Sequence, residues 1–282
     1  MGVRRPVVAG AFYPADRGRL IRTIEDCFTH RLGPGRLPEE GENDRRIVSV
    51  VCPHAGYMYS GPPAAHAYLH LASEAAPDVV IILGPNHTGL GGPISMGGEG
   101  AWQTPLGRVE IDEDLAKTIF RESDIIDVDD TAHMREHSIE VQLPFLQYIY
   151  EDFKFVPICM SFQDLETSRH VGRAIVNALE GRNALIVAST DMSHYESRES
   201  AAPKDRGVID RVLQLDEAAL QTWVREQRVT MCGYGPVSVA IHASKQLGAT
   251  EAELLAYSTS GDFTGDHSSV VGYSSIKITK QV

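Results

Sequence analysis

Three short motifs each deliver an imidazole and a fourth delivers a thiol: Pro53-His54-Ala55-Gly56-Tyr57, Gly84-Pro85-Asn86-His87, Thr190-Asp191-Met192-Ser193-His194 and Met231-Cys232-Gly233. Imidazole suits iron, copper and zinc, while a thiolate selects softer metals. His54, His87 and Cys232 therefore form a candidate metal set of two histidines and one cysteine. Tyr57 and Asn86 sit inside the same motifs and are expected in or behind the same pocket. A fifth motif, Arg135-Glu136-His137-Ser138-Ile139-Glu140, places His137 and Glu140 three residues apart. On a helix such a pair shares one face, and we expect it either to orient ligands from behind or to be a structural pair. The order is not H-E-x-x-H, so a zincin protease is not supported. The hydroxyl-rich run from Tyr257 to His267 reads as turn chemistry.

These motifs need elements that bring them together. Ile47 to Cys52, Val79 to Leu83, Phe153 to Ile158 and Ala184 to Ser189 are apolar or near-apolar runs of strand length. Such runs suit strands buried on both faces of a parallel sheet. Three of the histidine motifs start where one of these strands ends, and in open α/β sheets ligand sites form beyond the carboxyl ends of the strands. Helices are expected over 60–74, 112–122, 134–151 with a kink at Pro144, 164–180, 205–227 as two pieces, and 234–247. Leu20, Ile24, Cys27 and Phe28 recur at helical spacing near the start. Val270 to Thr279 alternates and reads as a last, antiparallel edge strand. The polar stretch 33–46 reads as a surface loop within one domain. The class expected is α/β, one domain over 1–282, with a largely parallel or mixed central sheet and helices on both faces. Cys232 then stands at the start of a helix, where the dipole and free N–H groups are expected to lower its pKa. Cys27 and Cys159 are expected to be inert, and Cys52 falls between.

Composition narrows the function further. The chain has 282 residues, 43% hydrophobic and 23% charged, with 25 Gly, 15 Pro and 4 Cys, an ordinary globular balance. Lys and Arg number 26 against 38 Asp and Glu, a net charge of −12. Such a surface repels phosphate backbones, so nucleic acid is not an expected partner. No apolar run is long enough for a bilayer span, and no membrane association is expected. Met1 to Pro6 lacks the apolar stretch of a signal peptide. The four cysteines form no C-x-x-C pair, which points to a reducing compartment and a cytoplasmic protein.

Taken together, the motifs resemble the MEMO family. The resemblance runs through Phe12-Tyr13-Pro14, residues 53–57, 84–87, 136–140, 191–195, 231–233 and Ser260-Gly261-Asp262, nearly the whole chain in family order. It implies a single α/β domain similar to the class III extradiol ring-cleaving dioxygenases, which hold non-haem iron(II). By similarity His54 and His87 fall on the two histidine ligands and His194 on the acid/base histidine. Asp191 falls beside the pocket, as a lining or ligand-supporting residue, and His194 and Asp191 become the candidate catalytic pair. Cys232 falls where a carboxylate ligand would stand, so ring cleavage is not carried over. The cofactor expected is iron or copper, with zinc a third candidate. One function expected is a metal-dependent redox enzyme acting on a small molecule. The other is a non-catalytic module that uses the same pocket for a peptide or partner protein. Prokaryotic members of the family often accompany a radical-SAM protein, which the resemblance offers as a partner.

Overall fold

The computed structural model describes residues 2–39, 41 and 44–281. The strands are β1 Val3–Arg4, β2 Ile47–Cys52, β3 Val79–Pro85, β4 Ile94–Met96, β5 Ala101–Thr104, β6 Gly107–Glu110, β7 Asp127–Val128, β8 Phe155–Met160, β9 Ala184–Ser189, β10 His194–Glu196, β11 Ala249–Thr259 and β12 Val270–Lys280. The helices are α1 Arg17–Thr29, α2 Tyr57–Ala72, α3 Glu113–Arg121, α4 Leu143–Ile149, α5 Leu165–Leu179, α6 Arg198–Leu213, α7 Glu217–Glu226, α8 Tyr234–Gln246 and the single turn α9 Gly261–Thr264.

The large sheet runs β10-β12-β2-β9-β3-β8-β4-β7, with β11 also paired to β12. Its centre, β2-β9-β3-β8, is parallel, and every residue of those four strands is buried. Apolar side chains on both faces need helices on both faces. The group α1, α2 and α4 packs together on one side and the group α3, α5, α7 and α8 on the other. Hydrogen bonds pin the layers in register: Ser49 of β2 to Ser244 of α8 at 2.7 Å, and Ser275 of β12 to the Pro63 carbonyl of α2 at 2.7 Å. Helix starts follow local chemistry. Asp16, Asp112 and Asp164 cap α1, α3 and α5 by accepting backbone N–H bonds. Among the described residues no helix is long and apolar enough to cross a membrane.

Three expectations change. β12 is antiparallel but interior, flanked by β2 on one side and by β11 on the other. The sequence hid this because β11, with its exposed and half-buried residues, lacks the apolar run of a buried strand. The stretch 134–151 is not one kinked helix. Residues 134–139 are irregular, Glu140–Gln142 is a 3₁₀ turn, and Pro144 stands at the start of α4, where its missing N–H costs nothing. His137 and Glu140 therefore do not share a helix face. The strand expected at 153–158 is shifted two residues, to Phe155–Met160. The small sheet β1-β5-β6 was not anticipated.

Candidate functional site

Because β2, β9 and β3 are adjacent and parallel, their carboxyl ends open on one edge, and His54, Asp191 and His87 leave from neighbouring strand ends. Cys232 arrives just before α8, which packs across β9, β2 and β3. The donor atoms of His54, His87 and Cys232 lie within 4.8 Å of one another, and Cys232 Sγ is 3.4 Å from His54 Nε2. Bonds of about 2.0–2.3 Å to a common centre require donors about that close.

Each imidazole is held by a fixed partner. Ser189 donates its hydroxyl to the Ser138 carbonyl at 2.7 Å. The amide of Gln142, itself fixed by Tyr68 and the Pro53 carbonyl, donates to Ser189 Oγ at 2.7 Å. With its one proton committed, Ser189 Oγ must accept from His54 Nδ1 at 2.8 Å. That leaves the His54 Nε2 lone pair facing Cys232. Burial, reinforced by His137 and His87, pushes the His54 pKa well below the ordinary imidazole value, so the ring is a neutral donor. His87 Nδ1 donates to Glu136 at 2.9 Å, which frees its Nε2. Burial opposes a charge on His87, but the Glu136 bond outweighs it and raises its pKa. Glu136 is fully buried and also accepts the backbone N–H groups of His87, His137 and Ser138. Burial works against its ionisation, yet these donors hold it well below the ordinary carboxylate range. Such a carboxylate–histidine pair fixes the tautomer and aim of a ligand. Glu136 was not singled out from the sequence, although its place beside His137 was the available signal.

Asp191 Oδ1 accepts the His54 N–H at 2.8 Å, and the Asp191 N–H points at Cys232 Sγ, 3.2 Å away. Burial lifts the Asp191 carboxyl to about 6, against the backbone donors that it accepts. The Cys232 thiol is raised, not lowered: burial dominates, the Asp191 charge adds to it, and the Asp191 N–H only partly opposes. The expectation of a depressed pKa failed because Cys232 precedes Gly233, the residue before the first helical turn. Its sulfur lies against Asp191 and Thr190, not against the free N–H groups of that turn. Cys27 is pushed up to about 12 by burial, and Cys52 and Cys159 are raised for the same reason.

Above these donors lies a cavity of about 740 Å³, lined by His54, His87, His137, Asp191 and His194 together with aromatic rings. His194 donates Nδ1–H to the Thr230 carbonyl at 2.8 Å, leaving Nε2 free. It is aimed by a bulge in β10, where Tyr195 takes a left-handed φ of 57°. His137 stacks on His87 with ring centroids 4.7 Å apart and meets His54 edge-on at 5.4 Å. His87, Glu136 and His137 also group closely enough for a cation, but the hydrogen bonds of Glu136 account for that grouping. Ser260, Thr264 and Asp266, from the turn-rich run, line the mouth.

Cys232 reaches His54 and Asp191 without lining the cavity itself, and three further residues singled out from the sequence stand apart from it. Glu140 accepts from Arg4, the Val7 and Val8 N–H groups and the Tyr13 hydroxyl, anchoring the N-terminal segment. Tyr57 is buried against Tyr13 and Phe145 and donates to the Val141 carbonyl. Asn86 closes its own loop by accepting from Thr88 and Gly89.

A family model described as Memo-like protein matches residues 4–277. The chain belongs to this Memo-like family. It is 54% identical to a MEMO1 family protein of Methanopyrus kandleri over 97% of the chain and 98% of that relative. It is likewise 54% identical to one of Methanothermobacter thermautotrophicus over 96% of the chain and 98% of the relative. The fold is similar to the crystal structure of an uncharacterized protein from Escherichia coli K12, with a TM-score of 0.56, 12% identity, and 83% of this chain and 100% of that chain covered. This Memo-like chain is thus an α/β protein with a mixed sheet flanked by helices.

Proposed function

We propose that this Memo-like protein binds one transition-metal ion through His54, His87 and Cys232 and works as a metal-dependent redox enzyme on a small molecule. The observation that carries the reading is the convergence of three donors within 4.8 Å, two of which, His54 and His87, line a cavity. The donor set fits: both imidazoles present a lone pair, and a cation would lower the thiol's pKa and take it as thiolate. Iron or copper is the ion proposed, with zinc a third candidate, because imidazole accepts all three and thiolate favours the softer ones. Such an ion, when bound, supplies Lewis acidity and, for iron or copper, electron exchange.

The chain's own groups would do the rest. His194 takes or gives a proton at Nε2, while Thr230 holds its other nitrogen. Asp191, poised at about 6, supports His54 through the backbone and faces the cavity. A module that captures an anionic peptide is less well supported, since among the described residues no Lys or Arg lines the cavity. That all four cysteines are free supports a reducing, cytoplasmic setting. The deciding experiment is anaerobic purification followed by metal analysis of wild type, His54→Ala/His87→Ala and Cys232→Ser. Near-stoichiometric iron or copper in wild type, lost in the double variant, is the expected result. Undiminished metal in the double variant would place the ligands elsewhere.

A further inference from the structure

The upper half of the cavity has a chemistry of its own. Tyr273 comes from β12, two residues after the cavity-lining Val271, and is only 2% exposed. It lines the cavity, yet no residue among those described receives or supplies a hydrogen bond at its hydroxyl. The buried side-chain atoms that lack a partner among the described residues do not include this hydroxyl, so it opens into the cavity, where water or a ligand meets it. Tyr59, Tyr195 and Asp191 line the same space. Tyr195 is 79% exposed and held in its left-handed conformation at the rim. Two carboxylates, Asp191 within and Asp266 at the mouth, belong to the lining, and among the described residues neither Lys nor Arg contributes to it.

We propose that this cavity receives a small organic cation, a protonated amine or quaternary ammonium group, set among the rings of Tyr59, Tyr195 and Tyr273 with Asp191 and Asp266 as counter-charges. The inference deepens the reading above and rests on it for the cavity's being the substrate site. Ring faces carry negative potential and attract cations, most strongly when the cation is shed of water. Apart from the imidazoles and any ion they hold, the side chains an anion would meet here are two carboxylates and, among the described residues, neither Lys nor Arg, on a protein of net charge −12. The same overall charge draws cations toward the surface.

The test is calorimetric titration of the full chain with choline, with its uncharged isostere 3,3-dimethylbutanol, and with acetate, before and after chelator treatment. Choline is expected to bind at least about fivefold more tightly than the alcohol, within the range that cation–π contacts give, and acetate is expected not to bind. Tyr195→Leu removes an exposed ring, so folding is not at stake. It should weaken choline about three- to tenfold, while Tyr195→Phe keeps the ring face and the affinity. Equal binding of choline and the alcohol, or unchanged affinity in Tyr195→Leu, overturns the proposal. Metal content read in the same samples separates the two readings. Choline selectivity that persists in a metal-free His54→Ala/His87→Ala variant upholds the cation site whatever becomes of the metal. Normal metal content without choline selectivity removes the cation site alone.

Discussion

At the scale of single residues, the two glutamates of one motif do different work. Glu136 takes three backbone N–H groups and the His87 imidazole, whereas Glu140 ties down Arg4, Val7, Val8 and Tyr13. Glu136→Gln should therefore lower metal affinity about 10- to 100-fold by freeing the His87 ring, measured by competition with a chromophoric chelator. Glu140→Ala should leave that affinity near wild type but cost about 3–5 kcal/mol of stability, because it strands the Tyr13 hydroxyl and the Val7 and Val8 N–H groups and takes a partner from the half-buried Arg4. Equal losses of affinity in both variants would remove the distinction. Cys232 gives a second prediction. Since burial and Asp191 raise its pKa, iodoacetamide should label it slowly at pH 7 in the metal-free chain, speeding up only above the ordinary thiol value of about 8.5. Peptide mass spectrometry across pH reads this directly, and rapid labelling at pH 7 would show that burial does not dominate.

At the scale of elements, the site depends on how closely α8 approaches the end of β9. A Cβ placed on Gly233 would lie 2.5 Å from the Ser189 carbonyl oxygen and 2.7 Å from Thr190 Cβ. Both are held by the sheet, so it is the start of α8, with Cys232, that must move. Gly233→Ala is expected to cost about 1–3 kcal/mol through overpacking and to lower metal content at the same time. Urea denaturation beside metal analysis checks both, and a stable variant with full metal content would contradict the argument. This contact was not legible in the sequence: Met231-Cys232-Gly233 shows a thiol before a helix, and only the packing of α8 shows why no side chain fits behind it.

At the scale of the whole molecule, the clearest pH response comes from His133, buried in the 3₁₀ turn Asp130–His133 and set against Trp102. Burial, with the Arg4 charge adding to it, lowers its pKa to about 4 from an ordinary 6.5. The unfolded chain then binds a proton more readily than the folded one. The contribution is fully present above pH 6.5 and is lost as pH falls toward 4, on the order of 3 kcal/mol. Urea midpoints between pH 7 and 4 should fall more steeply for wild type than for His133→Leu, and parallel curves would refute this. The sequence by itself determined the α/β class, the four central strands and the three strand-end motifs, because continuous apolar runs and the breaks after them are local signals. It also supplied His54, His87 and Cys232 as a set, since their residue types limit what they can do. The tertiary structure alone decided that Glu136 and not Glu140 backs the site, that Cys232 is raised and not lowered, and that β12 lies inside the sheet. Each of these turns on burial or on a partner far away in the chain, and hydrogen bonding and desolvation are set by neighbours in space, which residue spacing does not encode.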